Sequence, residues 1–389
     1  MQLEFIRASY GAGEAEAKEL LAYNQNKYNQ VLDLSISQFP LPDENFVSAW
    51  EGYVDEANHK GGFPTLKSKL VQLNFPIQAG ISQTEAYQAA TRRGVPMEDE
   101  PTGNDFILQK PEKLELILQP TLAGQLPLLF TSQREDFVSL VQALAYKNEP
   151  RSVPGSMGAA IIAGYNNWDR IHAHRQQWVR QNPNHCSEED WEAEFRRIIP
   201  QKKLYQDCFV ILSDGAYSGV PAADLGLFEA EWRRKSFIIR REHECTHYFT
   251  RRVYSSMQNN LLDELIAEYA GIVAANGCYR ADWFLRFVGL ENFPFYREGG
   301  RLQNYRGNPP LSDGAFLILQ IMVKRAAENL ERFDLQNKDW VHSPAGQTRM
   351  IMALTYLNLV ELASEKAEFL LYQALDLIDR REDLTRGDV

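Results

Sequence analysis

Apolar and polar positions along the chain follow two periods. Short apolar runs at 114–118, 126–131 and 208–213 predict strands, the last one buried and ending at the Asp214-Gly215 turn. Residues 31–37 are strand-like, and 157–163 is a small-residue apolar run. Helical spacing dominates elsewhere: 13–26, 43–57, two short helices within 64–94 parted by Pro76 and Gly80, then 134–146. The C-terminal half is more helical still, over 231–256, 261–275, 280–288 and 312–332, with one or two helices in 348–379. The fold class expected is α+β: an N-terminal mixed α/β region, a small sheet before the helix at 231–256, and a mostly helical C-terminal part. The loop at 95–105, with Pro96, Pro101 and Gly103, is expected to mark a subdomain edge. The turn-rich run 148–155 is expected to be a linker, giving domains at 1–150, 151–280 and 281–389.

The helix at 231–256 has no Pro or Gly and carries Ile238, Cys245, Phe249 and Val253 as an apolar stripe. On it lies His243-Glu244-Cys245-Thr246-His247, an HExxH pattern. Residues four apart share a helix face, so His243 and His247 can offer nitrogens to one ion. Glu244 beside them can accept a proton from a metal-bound water. A turn at Gln258-Asn259-Asn260 predicts a helical hairpin. Its second helix carries Leu262, Leu265, Ile266, Tyr269 and Val273 on the apolar face, and small Ala267, Gly271 and Ala275 that permit close helix contact. Glu264 and Glu268 lie one turn apart on that helix. Two His and one Glu leave a tetrahedral position open, as a catalytic zinc site does.

Residues 237–275 resemble the active-site helices of the gluzincin branch of HExxH zinc metallopeptidases. Asp263-Glu264-Leu265-Ile266-Ala267-Glu268 is similar to the Asn-Glu-x-x-x-Asp of thermolysin-like enzymes, to the Asn-Glu-Gly-Phe-Ala of zinc aminopeptidases and to the Glu-x-x-Ala-Asp of membrane-type zinc proteases. The resemblance implies a zincin-like catalytic core binding Zn2+ through His243, His247 and Glu264. It implies Glu244 as general base, and Glu268 as the carboxylate that receives a ligand-His N–H. The departures are a shorter gap before Glu264 and Glu in place of Asp at 268. A simple hairpin would instead bring His247 level with Glu268. The implied activity is a zinc-dependent peptidase acting on a peptide or protein. The aminopeptidases carry an oxyanion-stabilising Tyr that Leu311 replaces here; Tyr305 and His342 are the substitutes named for that role, as catalytic residues. Gluzincins also set a strand before this helix whose outer edge pairs with substrate, and the run at 208–213 resembles it in position. The competing class is a catalytically inactive zincin-like protein with a structural zinc or a scaffold role; hydrolysis of a non-peptide amide is a third.

Composition narrows the partners. Net charge is −11, against nucleic acid as principal partner. No stretch approaches eighteen apolar residues, so no membrane span is expected. Cys186, Cys208, Cys245 and Cys278 are scattered without a CxxC, and no signal peptide is evident at 1–7, so the expected compartment is the reducing cytoplasm. Nothing in the sequence speaks to oligomeric state. Three further features read as structure rather than chemistry. Gly164 to Trp168 is a turn with a buried Trp, His172 and His174 are surface residues on a helix, and the basic residues of the 231–256 helix pair with carboxylates on a solvated face.

Overall fold

The computed structural model describes residues 2–28, 39–95, 106–184, 187–256 and 260–386. The expected strand at 31–37, nearly all of the loop at 95–105, Cys186, and Gln258 and Asn259 of the turn lie outside these. The chain forms two compact units, one of Pro42–Gly215 and one joining Met1–Leu41 to Ala216–Val389. These boundaries fall elsewhere than at 150 and 280.

The unit of Pro42–Gly215 holds a four-stranded sheet: β1 (Leu114–Thr121), β2 (Gly124–Thr131), β3 (Ala159–Asn166) and β4 (Gln206–Ser213), in the order β1-β2-β4-β3. β1 and β2 form an antiparallel hairpin closing at Thr121 and Gly124. β2 runs parallel to β4, Leu128 opposite Val210, and β3 is antiparallel to β4 with a bulge at Gly164. Gly164 takes a positive φ there, as a bulge favours. β4 is therefore central, which explains its unbroken run of buried residues from Asp207 to Ser213. It offers no outer edge for a substrate strand, contrary to the role that its position implied.

Residues 148–155 lie inside this unit, and the run begins as a pinned turn. Asn148 is fully buried; its side-chain amide donates to the carbonyls of Gln72 and Phe75 and accepts from Tyr87 Oη. Trp168 is buried as expected, its indole donating to Thr91 O at 2.8 Å, and it opens the helix Trp168–Gln181 capped by Asn167. On that helix His172 Nε2 lies 3.3 Å from Gly94 O and His174 Nε2 lies 3.6 Å from a Glu194 oxygen.

The other unit is helical. Its centre is an antiparallel pair: the motif helix Glu229–Tyr254 and the facing helix Leu261–Asn276. Leu261, Leu265, Ile266 and Ile272 of the facing helix are fully buried, and so is Ile239 of the motif helix. The two backbones approach closely at Gly271. A Cβ built there would lie 2.8 Å from Ile239 O, so only Gly allows this separation. The N-terminal residues belong with this unit because they tie into the facing helix. Tyr23 Oη accepts from Leu261 N, and Tyr28 Oη donates to Asp263. Helices Ala281–Val288, Asp313–Gln336, Pro344–Tyr356, Leu359–Leu362 and Ala367–Arg386 complete it. The stretch 348–379 thus yields three helices where one or two were expected, because Leu357-Asn358 and 364–366 interrupt the pattern. No helix among the described residues is long and apolar enough to cross a membrane.

Candidate metal centre

The motif helix presents His243 and His247 on its buried face, in line with Trp232, Ser236 and Ile239. Their Nε2 atoms stand 3.1 Å apart. Glu264, in the first turn of the facing helix, reaches both: Oε2 lies 3.5 Å from His243 Nε2 and Oε1 lies 3.5 Å from His247 Nε2. A tetrahedron of zinc–ligand bonds of about 2.0–2.1 Å has edges of roughly 3.3–3.4 Å. Each nearest separation is close to that spacing, with a different Glu264 oxygen nearest each histidine, and one ligand atom from each of the three residues lies within 4.8 Å of the others, the group of His, Cys, Asp and Glu among the described residues that could hold an ion. Glu268 faces the other side of the imidazole, its Oε1 3.7 Å from His243 Nδ1. The helices are therefore set so that Glu264, not Glu268, meets the Nε2 pair.

Tyr217 stands between His243 and Glu268. Its Oη donates to Glu268 Oε1 at 2.8 Å and lies 3.2 Å from His243 Nδ1. With its own proton committed to the carboxylate, the Tyr217 oxygen is left to accept from Nδ1–H. That places the imidazole proton on Nδ1 and leaves Nε2 with a lone pair toward the cluster. Tyr217 is held by a bond from its N–H to Ser236 Oγ at 3.0 Å and by the guanidiniums of Arg240 and Arg301 over its ring.

Two carboxylates at i and i+4 repel, more so when buried. Arg301, from the turn Arg301–Tyr305, compensates them. Its Nη1 donates to Glu268 Oε1 at 2.9 Å and its Nη2 to Glu264 Oε2 at 3.1 Å. Tyr305 Oη also donates to Glu264 Oε2, at 2.8 Å. Tyr23 Oη anchors that turn by donating to Tyr305 O at 2.6 Å.

The electrostatics follow from this enclosure. Burial pushes the His243 imidazolium well below its ordinary range. Burial acts the same way on His247, but the hydrogen bond and charge of Glu264 outweigh it and raise His247 to about 9. Burial alone would raise Glu264; the His247 hydrogen bond and the nearby positive charges hold it below the usual carboxylate range instead. Burial lifts Glu268 to about 7 despite Arg301, and its Oε2 has no hydrogen-bond partner. Glu244 is partly exposed next to the cluster and makes no hydrogen bond or ion pair with the described residues; desolvation raises it to about 7. A carboxylate poised near neutrality, free of partners and beside a potential metal is what general-base work requires.

Of the residues singled out from sequence, His243, Glu244, His247, Glu264, Glu268 and Tyr305 come together. His342 does not: its Nε2 lies 3.0 Å from Asp334 Oδ2, a buried carboxylate that also accepts from Tyr269 Oη and Tyr279 N. Tyr217 and Arg301 were missed. Of the basic residues on the motif helix, Lys235 caps the facing helix through Ala275 O and Asn276 Oδ1, and Arg241 pairs with Glu242. Arg240 is buried against Tyr217 rather than solvated.

No curated protein and no solved structure matches the chain. A family model matches residues 6–366, nearly the whole sequence, and the chain accordingly belongs to DUF7005, a family of unknown function.

Proposed function

We propose that the protein is a zinc-dependent hydrolase, a metallopeptidase cleaving peptide bonds in a peptide or protein substrate. The observation that carries this reading is the convergence of His243, His247 and Glu264 at ligand spacing beside the carboxylate of Glu244, which has no hydrogen bond or ion pair among the described residues. When bound there, Zn2+ supplies Lewis acidity and brings the pKa of a water toward neutrality. Glu244 takes the proton of the attacking water and hands it to the leaving amine, a shuttle suited to a carboxyl near 7. Tyr217 and Glu268 hold the His243 proton on Nδ1 throughout. Tyr305 Oη, proposed as the oxyanion donor, stands at the cluster, where it donates to Glu264 Oε2 in this structure. The alternative, a structural zinc or a non-catalytic scaffold, leaves the free carboxylate of Glu244 without a task.

The net charge of −11 supports a substrate other than nucleic acid. The three described cysteines, Cys208, Cys245 and Cys278, are all free thiols, which supports a reducing, cytoplasmic setting. The test compares wild type with Glu244→Gln on a broad peptide library. Zinc-dependent cleavage by wild type, lost in a variant that keeps its zinc and its fold, is expected. Cleavage surviving in the variant removes Glu244 from its role; no cleavage by a zinc-loaded wild type favours the scaffold.

A further inference from the structure

Arg301 lies far along the chain from both histidines, yet it reaches the cluster from two sides. One terminal nitrogen, Nη2, donates to Glu264 Oε2; the other, Nη1, donates to Glu268 Oε1 and to Ser218 Oγ at 2.7 Å. The guanidinium is only slightly exposed and sits over the Tyr217 ring. A planar fork can hold two carboxylates in fixed relative orientation, which a lysine ammonium cannot.

The consequence for Glu264 is specific. Oε2, 3.5 Å from His243 Nε2, accepts from both Arg301 and Tyr305, whereas Oε1, 3.5 Å from His247 Nε2, accepts from neither. The two donors on Oε2 fix how the carboxylate is turned toward the Nε2 pair. The consequence for His243 runs through the second nitrogen: Arg301 holds Glu268, Glu268 receives Tyr217 Oη, and Tyr217 lies against Nδ1. We infer that Arg301 is a positioning residue that fixes the orientation of Glu264 toward the Nε2 pair and, through Glu268 and Tyr217, that of the His243 imidazole, so that the turn Arg301–Tyr305 presets the donor set for an ion. This rests on the metal-site reading above.

The experiment titrates wild type, Arg301→Lys and Tyr305→Phe with Zn2+ and with Co2+ and records the visible spectrum of the cobalt forms. Arg301→Lys keeps the charge but loses the fork. It is expected to bind Zn2+ roughly 10–100-fold more weakly, as loss of a ligand's hydrogen-bonding partner does. Its cobalt bands are expected to shift in position and intensity as Glu264 loses its fixed orientation. Tyr305→Phe removes one of the two donors to the same oxygen and should move the spectrum in the same direction by less. Circular dichroism of the metal-free variants separates this from misfolding, and an unfolded Arg301→Lys leaves Tyr305→Phe to decide. Wild-type affinity and cobalt spectrum in the folded variants overturn the inference while the metal site stands. Absence of metal binding by wild type overturns the site reading itself, and this inference with it.

Discussion

On the proposed metal-site reading, a zinc ion at the cluster competes with a proton on His247. His247 keeps its proton up to about 9 because the hydrogen bond and charge of Glu264 overcome its burial, and its Nε2 points at His243 Nε2 and at Glu264. An ion binding to that nitrogen must expel the proton. At pH 7, about two units below that value, the competition weakens zinc binding roughly a hundredfold, or about 2.7 kcal/mol. The perturbation is therefore pH itself. Calorimetric zinc titrations in two buffers of different ionisation enthalpy should report about one proton released per zinc from this residue at pH 7. Apparent affinity should rise about tenfold per pH unit from 7 and level off near 9, where the nitrogen is already free. Affinity flat across this range with no proton released would refute the arrangement of His247 and Glu264 described here.

Further outcomes follow from the same geometry. In the chelated protein the sign for His247 is fixed by a folded pKa above the ordinary 6.5. Its contribution, on the order of 3 kcal/mol, is complete below 6.5 and lost as pH rises through about 9. Denaturant melts of metal-free protein between pH 7.5 and 9.5 should then lose stability, and rising stability would count against it. Gly271→Ala should cost about 1–3 kcal/mol, because the added Cβ meets Ile239 O and the helices must part; an unchanged melting curve would place the contact elsewhere. Glu264→Ala should lose far more zinc affinity than Glu268→Ala, for which roughly 10–100-fold is expected; the reverse order would exchange their roles.

Local chemistry made much of the site legible. HExxH spacing on a helix depends only on the helix period, and so does the pairing of Glu264 with Glu268. The helical hairpin, β1, β2 and β4 emerged from periodicity in the same way. What escaped depends on contacts that no short window contains. Tyr217 reaches His243 across 26 residues, and Arg301 reaches Glu268 across 33. Neither lies in a periodic segment. One signal was available: two glutamates at i and i+4 on an otherwise apolar helix face need a cation from outside that helix, and the segment holding Arg301 is rich in Arg and Tyr. The position of β4 inside the sheet was equally hidden, because a continuous apolar run fits any buried strand and strand order is a tertiary property. Residues 148–155 looked like a linker because turn chemistry and linker chemistry share residue types, whereas the bonds from Asn148 to Gln72 and Phe75 make this run part of a folded unit.

The claim that His243, His247 and Glu264 form a zinc site is tested most directly by elemental analysis of protein purified without chelator. Close to one zinc per chain in wild type, with most of it lost in a folded His243→Ala variant, is the expected result. Equal metal content in the two proteins, or none in either, would contradict it.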